Sequence, residues 1–237
     1  GFTLQRFTLE HERVSLRIEA ASGRLAMLPL LWQTIEAHDL RVQYAYAGIR
    51  ARVTPPPVYT PRFLPRFLTI ASDDIRIARA EVKLINGFVL DGRDVRASGI
   101  ARHKTIRFTQ SQAILGDLEG TGTGLLTAAD PMQIEGATHW RYTPRNQPPW
   151  VATADLRGDL NKLPFTVSIT EPMTSDIGGE MLTLTRQWRW IGKARVSNFD
   201  LRAWGAGGAL GRITGDLTLS GNRQGFRARG PLDSAGL

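Results

Sequence analysis

Apolar and polar residues alternate with a period of two along most of this chain, and that pattern leaves few folds open. Val14, Leu16, Ile18 and Ala20 alternate with Ser15, Arg17 and Glu19, and Leu40, Val42, Tyr44 and Tyr46 with Arg41, Gln43 and Ala45. Ile106 and Phe108 sit among Thr105, Arg107 and Thr109, and Phe165, Val167 and Ile169 flank Thr166 and Ser168. Trp188 and Trp190 flank Arg189, and Phe199, Leu201 and Ala203 flank Asp200 and Arg202. Strand side chains point alternately to the two faces of a sheet, so each segment reads as a strand with one greasy and one solvated face. The sequence predicts an all-β chain of short antiparallel strands.

Helical signals are few. The stretch Pro29–Asp39 has room for a turn or two, and Pro65 interrupts Pro61–Ile70, where a ring nitrogen cannot continue a helix. The 13 prolines and 24 glycines cut the rest into short pieces. Thr54–Pro61 (TPPPVYTP) reads as an extended linker. Tyr142–Trp150 and Thr170–Glu180 read as longer loops. Alternation resumes unchanged after the prolines, so residues 1–237 are expected to form one elongated β unit, with a possible break at 55–61. The chain opens and closes in mid-pattern, as a fragment of something longer would.

A second regularity is apolar-x-Gly. It recurs at Ile134–Gly136, Leu156–Gly158, Ile213–Gly215 and Leu219–Gly221, with weaker copies at Ala97–Gly99 and Ala228–Gly230. A glycine two residues on falls on the same face as the apolar residue. It leaves room there for a bend, a bulge or the close approach of another group. Strand-end glycines preceding ordinary turns would give the same spelling.

The chain carries 30 Lys+Arg against 22 Asp+Glu, a net charge of +8, and only four of the cations are lysine. Arginine suits phosphate, but these residues are spread singly along strands rather than clustered on one element, which argues against nucleic acid. Without cysteine there is no disulfide or thiolate chemistry. His11, His38, His103 and His139 lack metal-ligand spacing. Gly120–Gly124 (GTGTG) lacks the Lys-Ser/Thr of a phosphate loop, and the carboxylates of Ser72–Asp74 and Phe88–Asp94 read as turn residues. No nucleophile, base and orienting partner assemble, so neither an enzyme nor a cofactor is expected. The longest apolar run, Leu25–Trp32, is far short of the ~20 residues of a spanning helix.

Arg195–Asn222 (RVSNFDLRAWGAGGALGRITGDLTLSGN) resembles a phrase of the TamB and AsmA-like envelope proteins. Phe199, Asp200, Leu201 and Trp204 match its first half, and Gly211, Ile213, Gly215, Leu217, Leu219 and Gly221 its second. Leu28–Tyr44, together with the proline-flanked join before Thr69–Val82, is similar to the N-terminal half of TamB. The loops at Tyr142–Trp150 and Glu171–Gly179 are longer than in that pattern, and the N-terminal membrane anchor of that family is expected on a segment outside these residues. The resemblance implies a long sheet rolled into a U-shaped trough with an apolar interior, tethered to the inner membrane. It implies transport of phospholipid across the periplasm, membrane contact through flanking segments, and an outer-membrane assembly barrel as partner. A role in outer-membrane protein assembly or secretion is the alternative.

Physical reasoning meets the same picture from another side. About fifteen strands at ~4.8 Å spacing make a sheet about 70 Å wide, and this sequence offers almost no helix to cover its apolar face. A bare face of that size must close, pair with a second sheet or hold something oily. Acyl chains, at ~0.8 kcal/mol per methylene, suit the last case. The expected lining is Val14, Leu16, Ile18, Leu40, Val42, Tyr44, Ile106, Phe108, Phe165, Val167, Ile169, Trp188, Trp190, Phe199, Leu201, Ile213, Leu217 and Leu219. A compact β-sandwich remains open on alternation alone. An outer-membrane barrel would need longer strands and aromatic girdles.

Overall fold

The computed structural model describes residues 1–10, 14–26, 28–49, 62–83, 89–145, 147–184, 188–200, 212–222 and 224–235. The fold is all-β. Its strands are β1 (Phe2–Glu10), β2 (Val14–Ala26), β3 (Thr34–Ile49), β4 (Thr69–Lys83), β5 (Val89–Ala101), β6 (Thr105–Leu115) and β7 (Leu118–Thr127). There follow β8 (Gln133–Tyr142), β9 (Trp150–Asp159), β10 (Lys162–Glu171), β11 (Thr174–Leu182), β12 (Arg189–Asp200), β13 (Arg212–Asn222), β14 (Gly225–Arg229) and β15 (Leu232–Ala235). The only helical element among the described residues is a 3-10 helix, Leu28–Trp32. Strand order in the open sheet follows chain order, with β15 returning to β13. Two compact units divide it, Gly1–Ile134 and Glu135–Leu237.

In the first unit one pairing departs from the expected antiparallel scheme. β3 and β4 run parallel, from Thr34↔Thr69 to Gly48↔Lys83. A parallel neighbour requires the chain to travel back along the strand before it re-enters the sheet. The proline linker Thr54–Pro61 falls in that return and lies outside the described residues. The strands on its two sides are paired along their length. The two compact units meet in sequence at Ile134/Glu135.

Register irregularities line up across this unit. They fall between Ser22 and Arg24 on β2, Ser72 and Ile75 on β4, Ser98 and Gly99 on β5, and Phe108 and Ser111 on β6. Asp39, on β3 between the first two, has φ of 50°, a conformation that Asp tolerates better than most residues. Ser72, Asp73 and Asp74 therefore stand inside β4, and Asp91 and Asp94 inside β5, rather than in turns. Each irregularity adds a residue to one strand and bends it.

In the second unit Thr170–Glu180, expected to be a loop, is largely β11. Its Gly178–Gly179 pair has the composition of a turn but is paired on both sides, with β10 and with β12. β14 and β15 lie on the same edge of β13 in one register, from Asn222↔Gly225 and Thr218↔Arg229 to Gly215↔Leu232 and Arg212↔Ala235. They are one strand interrupted at Gly230–Pro231, where proline lacks the ladder's N–H.

Few side chains are fully buried. Among the described residues the buried apolar set is Ala21, Ala37, Val42, Ala128, Leu163, Ala194 and Val196. The apolar residues sit mostly half-buried.

Candidate functional site

Apolar rows in the second unit are built by register. Paired residues on neighbouring strands share a face, so the pairings stack into rows across β9–β13. One row runs Leu156, Phe165, Gly179, Gly192 and Leu219. The next is Ala154, Val167, Ile177, Ala194 and Leu217, followed by Ala152, Ile169, Ser175, Val196 and Gly215. On the far side Leu163, Met181, Trp190 and Gly221 form a fourth row. On β13 the alternation is complete: Ile213, Gly215, Leu217, Leu219 and Gly221 are half-buried, and every residue between them is exposed.

Two glycines of this face are filled from across the ladder by aromatic rings. A Cβ on Gly221 would stand 2.3 Å from Nε1 of Trp190, its cross-strand partner. A Cβ on Gly179 would stand 2.7 Å from Cζ of Phe165, again its partner. Phe2 and Gly23 repeat the arrangement in the first unit, at 3.1 Å. Each aromatic ring lies flat on the sheet because the opposite residue has no side chain.

The opposite face is a charged and hydroxylated lattice. Ser168 Oγ donates to Asp176 Oδ1 at 2.7 Å, and Arg195 Nε lies 3.2 Å from Asp216 Oδ1. Lys162 pairs with Glu180 at 2.9 Å. An open depression of about 480 Å³ lies here among Asp176, Lys193, Arg195, Asp216 and Thr218. Ser175, on the apolar face, is 1% exposed, and its hydroxyl is the one buried side-chain polar atom among the described residues without a hydrogen-bond partner.

In the first unit the polar groups follow the line of bulges. His38 Nδ1 and Asp73 Oδ2 are 2.8 Å apart, Ser72 Oγ donates to the Ala37 carbonyl at 2.8 Å, and Ser98 and Thr109 hydroxyls meet at 2.8 Å. Arg24 pairs with Asp39 across the same line. The hydrogen bond from His38 holds the Asp73 carboxyl below its ordinary 3.8, and Arg76 does the same for Asp74. Farther along, Arg79 grips Asp91 through Nε and Nη2 at 3.0 and 2.9 Å and lowers its pKa. Desolvation first, and then the Glu81 carboxylate that accepts the Tyr44 hydroxyl at 3.2 Å, raise Tyr44 above 10.0. Among the described residues no three of His, Cys, Asp or Glu converge as metal ligands.

No family model, curated protein or solved structure matches this chain. Its site therefore stands on its own geometry.

Of the residues expected to share one apolar surface, Phe165, Val167, Ile169, Trp190, Leu217 and Leu219 come together in the rows described. Ile213 pairs with Phe199 at the end of β13, past a register shift. Trp188 is half-buried just before β12. In the first unit Leu16 and Ile18 pair with Ala47 and Ala45, and Val42 with Ala21. Leu40 pairs with Ile75, Ile106 with Ala101 and Leu126, and Phe108 with Gly99 and Gly124. Tyr44 pairs with Glu19 and Arg79, and with Leu40 and Val42 it lies on the face opposite Ala45 and hence opposite Leu16 and Ile18. Leu201, Trp204 and Gly211 lie outside the described residues, as do the side chains of Val14 and Asp200. The sequence reading omitted Leu156, Leu163, Ile177, Met181, Ala194 and Val196 from the surface. Alternation about Leu156 and Ile177 would have found the first and third.

Proposed function

We propose that this chain is a segment of a bridge-like phospholipid carrier, working in the periplasm of a Gram-negative-type envelope and tethered to the inner membrane. Acyl chains lie along the apolar sheet face, and head groups stay toward water. The observation that carries the reading is the row structure of β9–β13, whose aliphatic and aromatic side chains are mostly half-buried, in a unit with no helix among its described residues. Apolar faces of that extent are not left bare on soluble proteins, and a phospholipid's tails gain ~0.8 kcal/mol for each methylene they bury.

In this reading the sheet is curved into a U-shaped trough with the apolar rows inside. The aligned irregularities of β2–β6 support the curvature, because bulges bend strands in a common sense when they stack. A compact sandwich fits less well, since it would bury far more than the seven apolar side chains buried among the described residues. Carriage along a surface makes and breaks no covalent bond, so no catalytic group or cofactor is invoked. The resemblance of Arg195–Asn222 to TamB and AsmA-like proteins supplies the envelope setting and an outer-membrane assembly barrel as partner. The test is to purify the chain without detergent and extract it for mass spectrometry of lipids. Stoichiometric phospholipid is expected; a lipid-free, folded protein would contradict the proposal.

A further inference from the structure

We propose a second lipid contact, distinct from the apolar rows: one end of the first unit docks on the surface of an anionic phospholipid bilayer. Three connections meet at that end. They are the 3-10 segment Leu28–Trp32 between β2 and β3, residues 62–68 leading into β4, and the turn 102–104 between β5 and β6. Backbone bonds tie them together. Thr69 N–H donates to the Gln33 carbonyl at 3.1 Å, and Phe63 N–H donates to the His103 carbonyl at 2.8 Å. His103 Nδ1 closes the arrangement at 2.7 Å from the Leu64 carbonyl.

This framework holds out exposed apolar side chains. Trp32 is 73% exposed and Phe67 63%, with Leu25 and Leu30 exposed beside them in sequence. An indole and a phenyl ring presented to solvent on fixed turns are costly to keep wet, and such rings favour the head-group level of a bilayer. Arg62, Arg66, Arg102 and Lys104, on the same connections, are exposed cations. None of these connecting segments contains Asp or Glu. The β7–β8 connection, which joins this end through the Ala128 N–H and the Lys104 carbonyl, carries Asp130, and Glu36 near the start of β3 is half-buried. Aromatic anchors ringed by unpaired arginine and lysine match an anionic lipid surface, where apolar insertion and charge attraction add. A protein partner would have to supply several acids to the same small area.

The surface does not depend on the carrier reading, because a chain with no acyl path can still dock by this end. The test is co-sedimentation of the intact chain with vesicles of phosphatidylcholine containing about a third phosphatidylglycerol, and with pure phosphatidylcholine vesicles. Binding is expected to the first and not the second, and to weaken as salt rises. Each cation near such a surface strengthens binding about fivefold, so Arg62→Gln with Arg66→Gln should weaken it about 25-fold. Trp32→Ala with Phe67→Ala should weaken it by about tenfold or more, while Phe226→Ala, an exposed position in the second unit, should not change it. Equal binding by the double variants, equal binding to uncharged vesicles, or no binding by the parent chain would overturn the proposal. So would self-association through Trp32 in place of vesicle binding. Should a variant fail to fold by circular dichroism, the lipid and salt dependence of the parent chain decides. Phospholipid that co-purifies with the Trp32→Ala/Phe67→Ala chain separates the two contacts: its retention leaves the carrier standing when docking is lost, and its absence from the parent chain sinks the carrier alone.

Discussion

Trp190 lies over Gly221, its direct cross-strand partner, so closely that a methyl group on Gly221 would stand 2.3 Å from the indole nitrogen. Phe165 and Gly179 stand in the same relation. Gly221 and Gly179 are thus each half of a device whose other half is an aromatic residue one strand away, whereas Gly99, Gly158, Gly215 and Gly230 admit close backbone instead. An aromatic ring laid flat on the ladder gives a smooth apolar face.

Gly178 and Gly179 provide an internal comparison, because they are neighbours on β11 and face opposite ways. A Cβ on Gly178 meets nothing within 4 Å, while one on Gly179 meets the Ile191 carbonyl at 2.4 Å and the Phe165 ring. Gly179→Ala should destabilise the chain by about 1–3 kcal/mol through overpacking. Gly178→Ala should be neutral or stabilising by about 0.5–1 kcal/mol, since it removes backbone freedom from the unfolded chain. Chemical denaturation of the two variants checks the contrast, and equal effects would refute it.

Ser175 places a hydroxyl without a partner among Ile169 and Val196. A buried donor left unsatisfied costs about 1–3 kcal/mol. Ser175→Ala should therefore raise the denaturation midpoint, and a clear loss of stability would show that the hydroxyl is satisfied.

The acid limb of the stability curve should belong partly to Asp73, Asp74 and Asp91. Their carboxyls are held below 3.8 by hydrogen bonds from His38, Arg76 and Arg79. A lowered folded value means that the unfolded chain takes up the proton first. The contribution is whole above pH 3.8 and disappears as pH falls through the lower folded values. Replacing the three by Asn should flatten stability against pH in that window. Tyr44 acts with the opposite sign. Its raised value favours the neutral hydroxyl, so its contribution is whole below pH 10.0 and is lost as pH rises beyond. Tyr44→Phe should flatten the alkaline limb.

Alternation made the fold class legible, because a period of two is written directly into segments such as Leu163–Ile169 and Arg212–Asn222. It could not disclose the parallel pairing of β3 with β4, which depends on where a proline-rich connection returns the chain. Nor could it place Tyr44 opposite Ile18. That assignment needs the register between β2 and β3, in which Tyr44 meets Glu19. β11 was hidden by its two glycines, of which Gly179 serves the Phe165 ring rather than a turn. The carboxylates of Ser72–Asp74 were misjudged for a related reason: bulges inside strands and turns between them draw on the same residues.

The central claim is that the face carrying Val167 holds acyl chains while the face carrying Thr166 meets water. These neighbours on β10 are half-buried and exposed respectively, Val167 in the row with Ala154 and Ile177, Thr166 in the row with Asp155 and Gly178. The decisive measurement is the phospholipid retained per chain in Val167→Asp and Thr166→Asp, purified without detergent, with β-sheet content read by circular dichroism. A carboxylate among acyl chains is costly, so Val167→Asp should stay folded and lose its lipid, whereas Thr166→Asp should keep both. A folded Val167→Asp with its full lipid load, or one that unfolds as a packed core would, contradicts the claim.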